Sequence, residues 1–381
     1  MGDRSFLSWP FFEPRHRELA NKLDEWCSAP GRSFEHGADV DGTCRLLVGL
    51  LGEAGFLKLC VADADSRPDV RSLAIARETL AYHSALADFA FAMQGLGSGA
   101  ISLFGTVEQK RQWLPRVASG EAIAAFAMTE PASGSDAANI ASSAMRDGNE
   151  WVLVGEKTLI SNGGIADFYL TFARTGEGEG ARGLSAFIVP AEAVEVAERI
   201  DVISPHPLAR LKYDKVRVPA AAIIGEPGEG FRIGMETLNL FRVTVGAAAL
   251  GFARRALDEA ISFAKNRRLG SATLAENAVT QQNLAEMALL NDASALLVHR
   301  AAWQQDVGGI DNRRAAAMAK LHATESGSRV IDMAVQMHGG AGVTRGVKVE
   351  ELYRDIRALR IYEGASEVQR QIIARDLLKG A

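Results

Sequence analysis

Near the C-terminus, the residues Ile361-Tyr362-Glu363-Gly364-Ala365 set one carboxylate after an apolar pair and before two residues too small to shield it. Ser366 and Gln369 follow at the S-x-x-Q spacing of a capping box, ahead of an amphipathic run through Ile372, Ile373, Leu377 and Leu378. The pattern places Glu363 on a short loop at the mouth of a helix, among apolar neighbours. Desolvation there raises a carboxyl pKa and suits the group to work as a general base. An ordinary solvated loop glutamate is the other reading of the same residues.

Three further stretches carry groups that could meet a ligand. Met128-Thr129-Glu130-Pro131-Ala132-Ser133-Gly134-Ser135-Asp136 joins a strand to a loop of hydroxyls and small residues, which offers backbone N–H groups and Ser/Thr oxygens to an oxygen-rich ligand. Leu159-Ile160-Ser161-Asn162-Gly163-Gly164 is a strand ending in polar residues and glycines. Gln336-Met337-His338-Gly339-Gly340-Ala341-Gly342 ends a long helix; its glycines read either as a C-cap or as room for close approach of a phosphate or adenine. A Pro/Gly/Ser turn with no ligand remains the other reading of the first stretch. No GxGxxG follows a first strand, and neither a GxSxG nor a P-loop occurs. His16, His36, His83, His206, His299, His322 and His338 show no metal-ligand spacing, so no metal is expected.

Composition bounds the setting. The chain has 381 residues and a formal net charge of -5, which gives ample core for two or three domains and no nucleic-acid footprint. No apolar run is long enough to span a membrane. The N-terminus has acids and a proline where a signal peptide needs an apolar run, and Phe6 breaks the myristoylation pattern. Cys27, Cys44 and Cys60 form no CxxC and read as thiols in a reducing cytoplasm.

Periodicity organises the chain into three parts, an α+β arrangement. Residues 1–122 read as helices: 15–27, the Leu-rich 45–59, and 70–104, which the glycines at 95, 97 and 99 divide into two. Thr106 and Gln109 form a capping box for the next helix. Met93, Gln94 and Leu96 read as core. Residues 123–228 read as a small, mostly antiparallel, barrel-like β domain with strands at 151–154, 158–161, 168–173, 184–189 and 216–218. Residues 229–381 read as a helical bundle of four helices with the Glu363 loop: 231–266, 279–307, 312–337 and the C-terminal helix. The small residues at 246–251 suit close helix packing, within or between chains.

Taken in order, these stretches resemble the acyl-CoA dehydrogenase family over nearly the whole chain. The carrying motifs are TEPASGSD (129–136), KTLISNGGIADFY (157–169), GEGFRIGMETLNLFR (228–242), QMHGGAG (336–342) and RIYEGASEVQR (360–370). The resemblance implies FAD, an acyl-CoA substrate, and loss of two hydrogens across Cα–Cβ, with hydride passing to flavin N5. By resemblance Glu363 is the base, and its backbone N–H, with Gly364 beside it, holds the thioester oxygen. Some relatives carry the base beside the Arg of the LNLFR stretch; here that neighbour is Phe241. Thr129 and Ser161 are implied to bond the flavin ring, with backbone from Phe126 to Met128, and Leu159 to pack against it. Ser135 is implied at the pyrophosphate or the CoA arm, and Asn239 and Arg242 near the acyl-CoA. Arg267, Gln336, Gly339 and Gly340 are implied at the adenine end of FAD bound to a neighbouring subunit, with Ala365, Ser366 and Glu367 along the cofactor. The resemblance further implies a homotetramer, a dimer of dimers, and an electron-transfer flavoprotein as acceptor.

The sequence departs from the family at three places. Leu159 stands where a Trp is usual. In Arg267-Arg268-Leu269-Gly270-Ser271 the family's Arg-x-x-Phe-Gly lacks its aromatic: in ungapped register Gly270 replaces the Phe and Ser271 the Gly, while a one-residue slip puts Leu269-Gly270 on Phe-Gly. Ala278 replaces a Gln of the adenine site. Two rivals follow: an acyl-CoA oxidase-like flavoprotein reoxidised by O2, and a flavin-free CoA-ester-binding protein.

Overall fold

A computed structural model of the chain describes residues 2–30, 34, 37–62, 66–308 and 312–379. The backbone gathers into two compact units, one of residues 1–34, 69–88 and 242–381, the other of residues 35–68 and 89–241. The ten helices among the described residues are α1 (Pro14–Cys27), α2 (Val40–Glu53), α3 (Val70–His83), α4 (Ala85–Phe104), α5 (Val107–Ala118), α6 (Gly230–Asn266), α7 (Ala278–Val307), α8 (Arg313–His338), α9 (Lys348–Leu359) and α10 (Ser366–Lys379). The α+β architecture expected from the sequence is present: helices, a central sheet, then helices. No helix among the described residues is long and apolar enough to cross a membrane. His36 lies outside the described residues.

The sheet unit is built on β1 (Ala124–Ala127), β2 (Ser143–Asp147), β3 (Glu150–Ser161), β4 (Phe168–Arg174), β5 (Leu184–Pro190), β6 (Glu195–Arg199), β7 (Leu208–Pro219) and β8 (Ile223–Ile224). Their order is β6-β7-β3-β2-β4-β5-β8, with β1 added parallel to β4. The other extended pairings are antiparallel; β2 meets β4 in parallel at a single position. β4 shows no polar alternation because both its faces are buried. Phe168, Leu170 and Phe172 pack with Trp113, Leu114 and Ile233. Tyr169 and Ala173, on the opposite face, share a second cluster with Trp151, Leu153, Leu211 and Tyr213 from β3 and β7. Strands far apart in the order thus line one interior, as in a barrel-like domain.

Three readings of local structure are corrected. β3 does not break at Gly155-Glu156-Lys157; it runs through as one strand and absorbs the irregularity as shifts in register between 153 and 155 and between 157 and 160. The helical stretch 70–104 breaks at Ser84, not at the glycines, and the Ser84 hydroxyl accepts the Ala87 N–H to start α4. The glycines serve close approach instead: a Cβ on Gly97 would lie 2.7 Å from the Ala125 nitrogen, and one on Gly95 2.6 Å from the Phe241 ring. The strand expected ahead of Met128 is β1, whereas β2 and β6 were not expected; β6 is exposed along its whole length and has no apolar alternation to show.

The helical unit packs α3, α7, α8, α9, α10 and the C-terminal part of α6. The small residues of α6 pack within the chain. A Cβ on Gly251 would meet the Glu78 carbonyl on α3 at 2.2 Å, and one on Gly246 would stand 3.0 Å from Val298 and 3.2 Å from the Ala319 carbonyl.

Candidate active site

In the sheet unit, β1 leads into the loop of residues 128–136. Two buried amides seat β1 itself. Gln94 donates to the Ala122 carbonyl (2.7 Å) and accepts from the Ala124 N–H (2.9 Å), while Asn162 donates to the Ala124 carbonyl (2.9 Å). The Thr158 N–H donates to the Thr129 carbonyl (2.9 Å), so Thr129 lies alongside the 159–161 stretch of β3. Beneath the loop, fully buried Lys157 donates to the Met128 carbonyl (3.2 Å) and to Glu130 Oε1 (2.7 Å). Glu130 also accepts the N–H groups of Ala141 (2.5 Å) and Ser142 (3.0 Å). Burial brings the Lys157 ammonium down to about 8, against the pull of Glu130. Burial pushes the Glu130 carboxyl up, but the Lys157 charge and these hydrogen bonds outweigh it and hold it below its ordinary value.

Thr129, Phe126 and Ser161 are half-buried and Ser135 is exposed, so hydroxyls on the loop and the strand end remain open to a ligand; Met128 is buried. Leu159 sits at φ 55 with its side chain 54% exposed. A left-handed leucine is uncommon and costs about 1–2 kcal/mol. The register shift between Lys157 and Ile160 imposes it, and the result is an apolar side chain presented outward beside the Ser161 hydroxyl.

In the helical unit, Glu363 lies between α9 and α10 at φ 51, followed by Gly364 at φ 91. The residue is half-buried, and its Oε2 is buried with no hydrogen-bond partner among the described residues. The S-x-x-Q residues do not form the expected capping box. The Ser366 hydroxyl donates to Glu325 (2.6 Å), which also pairs with Arg360 (2.8 Å). Gln369, fully buried, turns its amide back to the loop and donates to the carbonyls of Gly364 (2.7 Å) and Glu363 (3.4 Å). Ala365 takes the N-cap position, accepting the Gln369 N–H at 3.0 Å.

The electrostatics around Glu363 come from four elements of this unit. Arg77 on α3 and Asp88 on α4 form a buried two-pronged ion pair (2.9 and 2.8 Å), with Arg77 also donating to Thr244. Lys320 on α8 and Arg242 on α6 are both buried. Burial pushes the Glu363 carboxyl above its ordinary value, helped by Asp88; Arg77, Lys320 and Arg242 act against it without winning. Burial likewise lowers Arg242, with Glu363 resisting. Asn239 sits half-buried one turn earlier on α6. Glu367, on the first turn of α10, is exposed.

The expected adenine-end residues gather at one end of the helical unit. Phe263 near the end of α6 stacks on His338 at the end of α8, with ring centroids 4.2 Å apart, and so juxtaposes the segments carrying Arg267 and Gln336. Arg267, Gln336, Gly339 and Gly340 are exposed, and a Cβ on Gly339 or Gly340 would meet nothing within 4 Å. After Arg267 the chain forms a hairpin, β9 (Arg268–Leu269) with β10 (Ala272–Thr273), turning at Gly270, φ 62. An aromatic residue would be strained there, so the backbone favours the slipped register, in which Gly270 takes the glycine position and half-exposed Leu269 that of the missing ring. Ala278 opens α7, capped by Asn277.

The acyl-CoA dehydrogenase N-terminal, middle and C-terminal domain models match residues 13–121, 125–216 and 228–378. The chain is 38% identical over 336 residues to the mitochondrial short-chain specific acyl-CoA dehydrogenase of Bos taurus, covering 86% of this chain and 81% of that one. It is 39% identical over 282 residues to a 3-(aryl)acrylate reductase of Clostridium sporogenes, covering 73% and 74%. Its fold is similar to a glutaryl-CoA dehydrogenase from Mycobacterium smegmatis in complex with FADH2, with TM-score 0.86, 26% identity, and 97% and 96% coverage. The chain belongs to the acyl-CoA dehydrogenase family, FAD-dependent flavoprotein oxidoreductases that act on acyl-CoA thioesters. The residues described suit such a cofactor: open hydroxyls and an outward apolar side chain in the sheet unit, and an exposed arginine beside unobstructed glycines in the helical unit.

The burial of two lysines went unread in the sequence. Lys157 reads as the end of a Gly-Glu-Lys break and the start of KTLISNGGIADFY, and Lys320 is not singled out. The one signal for Lys157 was a cation amid the apolar residues of a strand, and for Lys320 a cation inside the alanine-rich helix AAAMAKL.

Proposed function

We propose that this protein oxidises an acyl-CoA thioester to the 2-enoyl-CoA, with Glu363 removing the α-proton. The observation that carries the reading is the Glu363 carboxylate: left-handed backbone, buried oxygen without a partner, and a pKa raised by burial. A thioester α-proton is weakly acidic, and a base of raised pKa accepts it with a better driving force than a solvated carboxylate. The Glu363 backbone N–H, with Gly364, polarises the thioester carbonyl where charge develops. Arg242, Asn239 and Ser135 hold the acyl-CoA. FAD, when bound, supplies the hydride acceptor for the Cβ hydrogen. Phe126, Met128, Thr129, Ser135, Leu159 and Ser161 hold its flavin side, Ala365, Ser366 and Glu367 run along it, and Arg267, Gln336, Gly339 and Gly340 take its adenine end on a neighbouring subunit.

That sharing requires at least a dimer, and the family resemblance extends it to a homotetramer, a dimer of dimers, in which FAD stabilises the assembly by mass action. The reading also takes the cytoplasm as the location, an electron-transfer flavoprotein as the electron acceptor, and residues 1–122, 123–228 and 229–381 as the three domains. Anaerobic bleaching of the bound flavin by straight, branched, cyclic and aromatic acyl-CoAs tests the activity and sorts the substrates. No bleaching by any of them, or no flavin retained after soaking with FAD, overturns it. Light scattering alongside flavin fluorescence tests the assembly; a monomer retaining tightly bound, quenched FAD would overturn the shared site.

A further inference from the structure

Lys320 is a costly residue for its place. It is fully buried on α8, where an apolar side chain would pack without desolvating an ammonium. Its two acceptors are the carbonyls of Tyr362 (3.1 Å) and Gly364 (2.7 Å), the residues on either side of Glu363. A single Nζ reaches both only because the chain is left-handed at Glu363 (φ 51) and at Gly364 (φ 91), which turns the flanking carbonyls to one side.

We propose that Lys320 is a positioning residue: its ammonium ties down both shoulders of the Glu363 loop, fixes the carboxylate's direction, and supplies a near positive charge that steadies its ionised form. This rests on the reading of Glu363 as the base. Gln369 shares the mechanical part, donating to the Gly364 carbonyl at 2.7 Å, but it is neutral. The charged and titratable groups facing Glu363 are Arg77, Asp88, Arg242, Lys320 and Tyr362, and Glu325 and Glu367 also act on Lys320. Burial lowers the Lys320 ammonium to about 8, so the tie loosens in mild alkali.

The test compares Lys320→Met, Lys320→Arg, Gln369→Leu and Glu363→Gln as FAD-loaded enzymes, reading the pH profile of flavin reduction by a saturating acyl-CoA under anaerobic conditions. Lys320→Met is expected to slow reduction by about 10- to 100-fold, the scale of a misdirected catalytic group, and to move the acid limb to higher pH. Lys320→Arg keeps the cation and should leave the acid limb near its wild-type position. Gln369→Leu should slow reduction without moving that limb. A merely structural lysine would lower the thermal midpoint and leave the limb in place. An unmoved limb in Lys320→Met, or a rate within about twofold of wild type, overturns the proposal. If Lys320→Met does not fold, Lys320→Gln carries the same readout. Near wild-type reduction by Glu363→Gln would instead overturn the reading of the base, which separates the two failures.

Discussion

Two loops of this protein, one in each compact unit, are held by the same device with different wiring. The 128–136 loop rests on Lys157, and the Glu363 loop on Lys320. Each lysine is fully buried, donates to loop carbonyls, and is brought by burial to about 8. Each loop stands beside a non-glycine residue in the left-handed region, Leu159 in one case and Glu363 itself in the other. The difference lies in the counter-charge. Lys157 bonds directly to Glu130, so its charge is answered on the spot and the arrangement is a closed structural lock. Lys320 bonds carbonyls only, and the anion it answers is Glu363. A lock that closes on itself can fix a binding loop without touching its chemistry. A lock whose counter-charge is the proposed base ties geometry and proton affinity together.

The comparison breaks most visibly at Glu363. Glu363→Gln keeps size and removes the proposed base, and it should cost at least about 10³-fold in the rate of flavin reduction while acyl-CoA and FAD still bind. Stability should move the other way. The folded-state pKa of Glu363 is raised, so stability falls as the pH rises from the unfolded carboxyl pKa to the folded one, and the full cost is present above it. The glutamine variant should therefore melt at a temperature equal to or above wild type at pH 8, and the gap should close as the pH is lowered. A variant that melts lower at pH 8 would show that the carboxylate is net stabilised in place.

Lys157→Met attacks the closed lock. It strands Glu130 in a buried setting, and breaking a buried pair in this way costs about 3–5 kcal/mol. Because Glu130 is held below its ordinary pKa in the intact pair, its contribution is present above the unfolded carboxyl pKa and is lost as the pH falls through the folded one. The thermal penalty of Lys157→Met should thus shrink in acid. A penalty independent of pH would assign it to lost packing instead.

The fold was legible wherever a face met water. The periods of α1 and α5 and the Thr106–Gln109 cap are in the sequence because each side chain there has one job. The candidate site was legible only as residue types: the lone carboxylate of Glu363, the hydroxyls of Thr129 and Ser161, and the glycines. What stayed hidden was support from a distance. Gly155, Glu156 and Lys157 look like a turn, yet they continue β3 because Lys157 has a partner on another loop. Gln369 sits at capping-box spacing, yet its amide is taken by the loop carbonyls, so Ala365 caps the helix instead. Gly95 and Gly97 read as breakers, yet they mark where a ring and a strand come close. Local spacing names the residue types and does not name their partners.

Gly364→Ala gives a smaller effect and probes the loop side of the comparison alone. Its φ of 91 disfavours any side chain, and the added Cβ would stand 2.6 Å from the buried Gln369 amide. The backbone term is about 1–2 kcal/mol. The amide must also shift, which loosens one of the two ties on the Gly364 carbonyl. The expected result is a modest drop in thermal midpoint with a clear drop in reduction rate. A change in melting with an unchanged rate would mean that the carboxylate keeps its direction without that tie.

The smallest expected effect is at Leu159, the left-handed residue on the other side of the comparison. Its side chain is 54% exposed, so in the flavin-free protein it contributes little burial, while its φ of 55 costs backbone energy. Asparagine tolerates that region through local hydrogen bonding. Leu159→Asn should therefore stabilise the flavin-free protein, by no more than about 1 kcal/mol, read as a small rise in thermal midpoint. The strain has a use if the exposed leucine packs on the flavin, as proposed above. In that case the same variant should release FAD faster on dilution, and the midpoint gained without flavin should be reduced or reversed with it. A variant stabilised equally with and without FAD would show that Leu159 does not touch the cofactor, and that the register shift in β3 orients Ser161 instead.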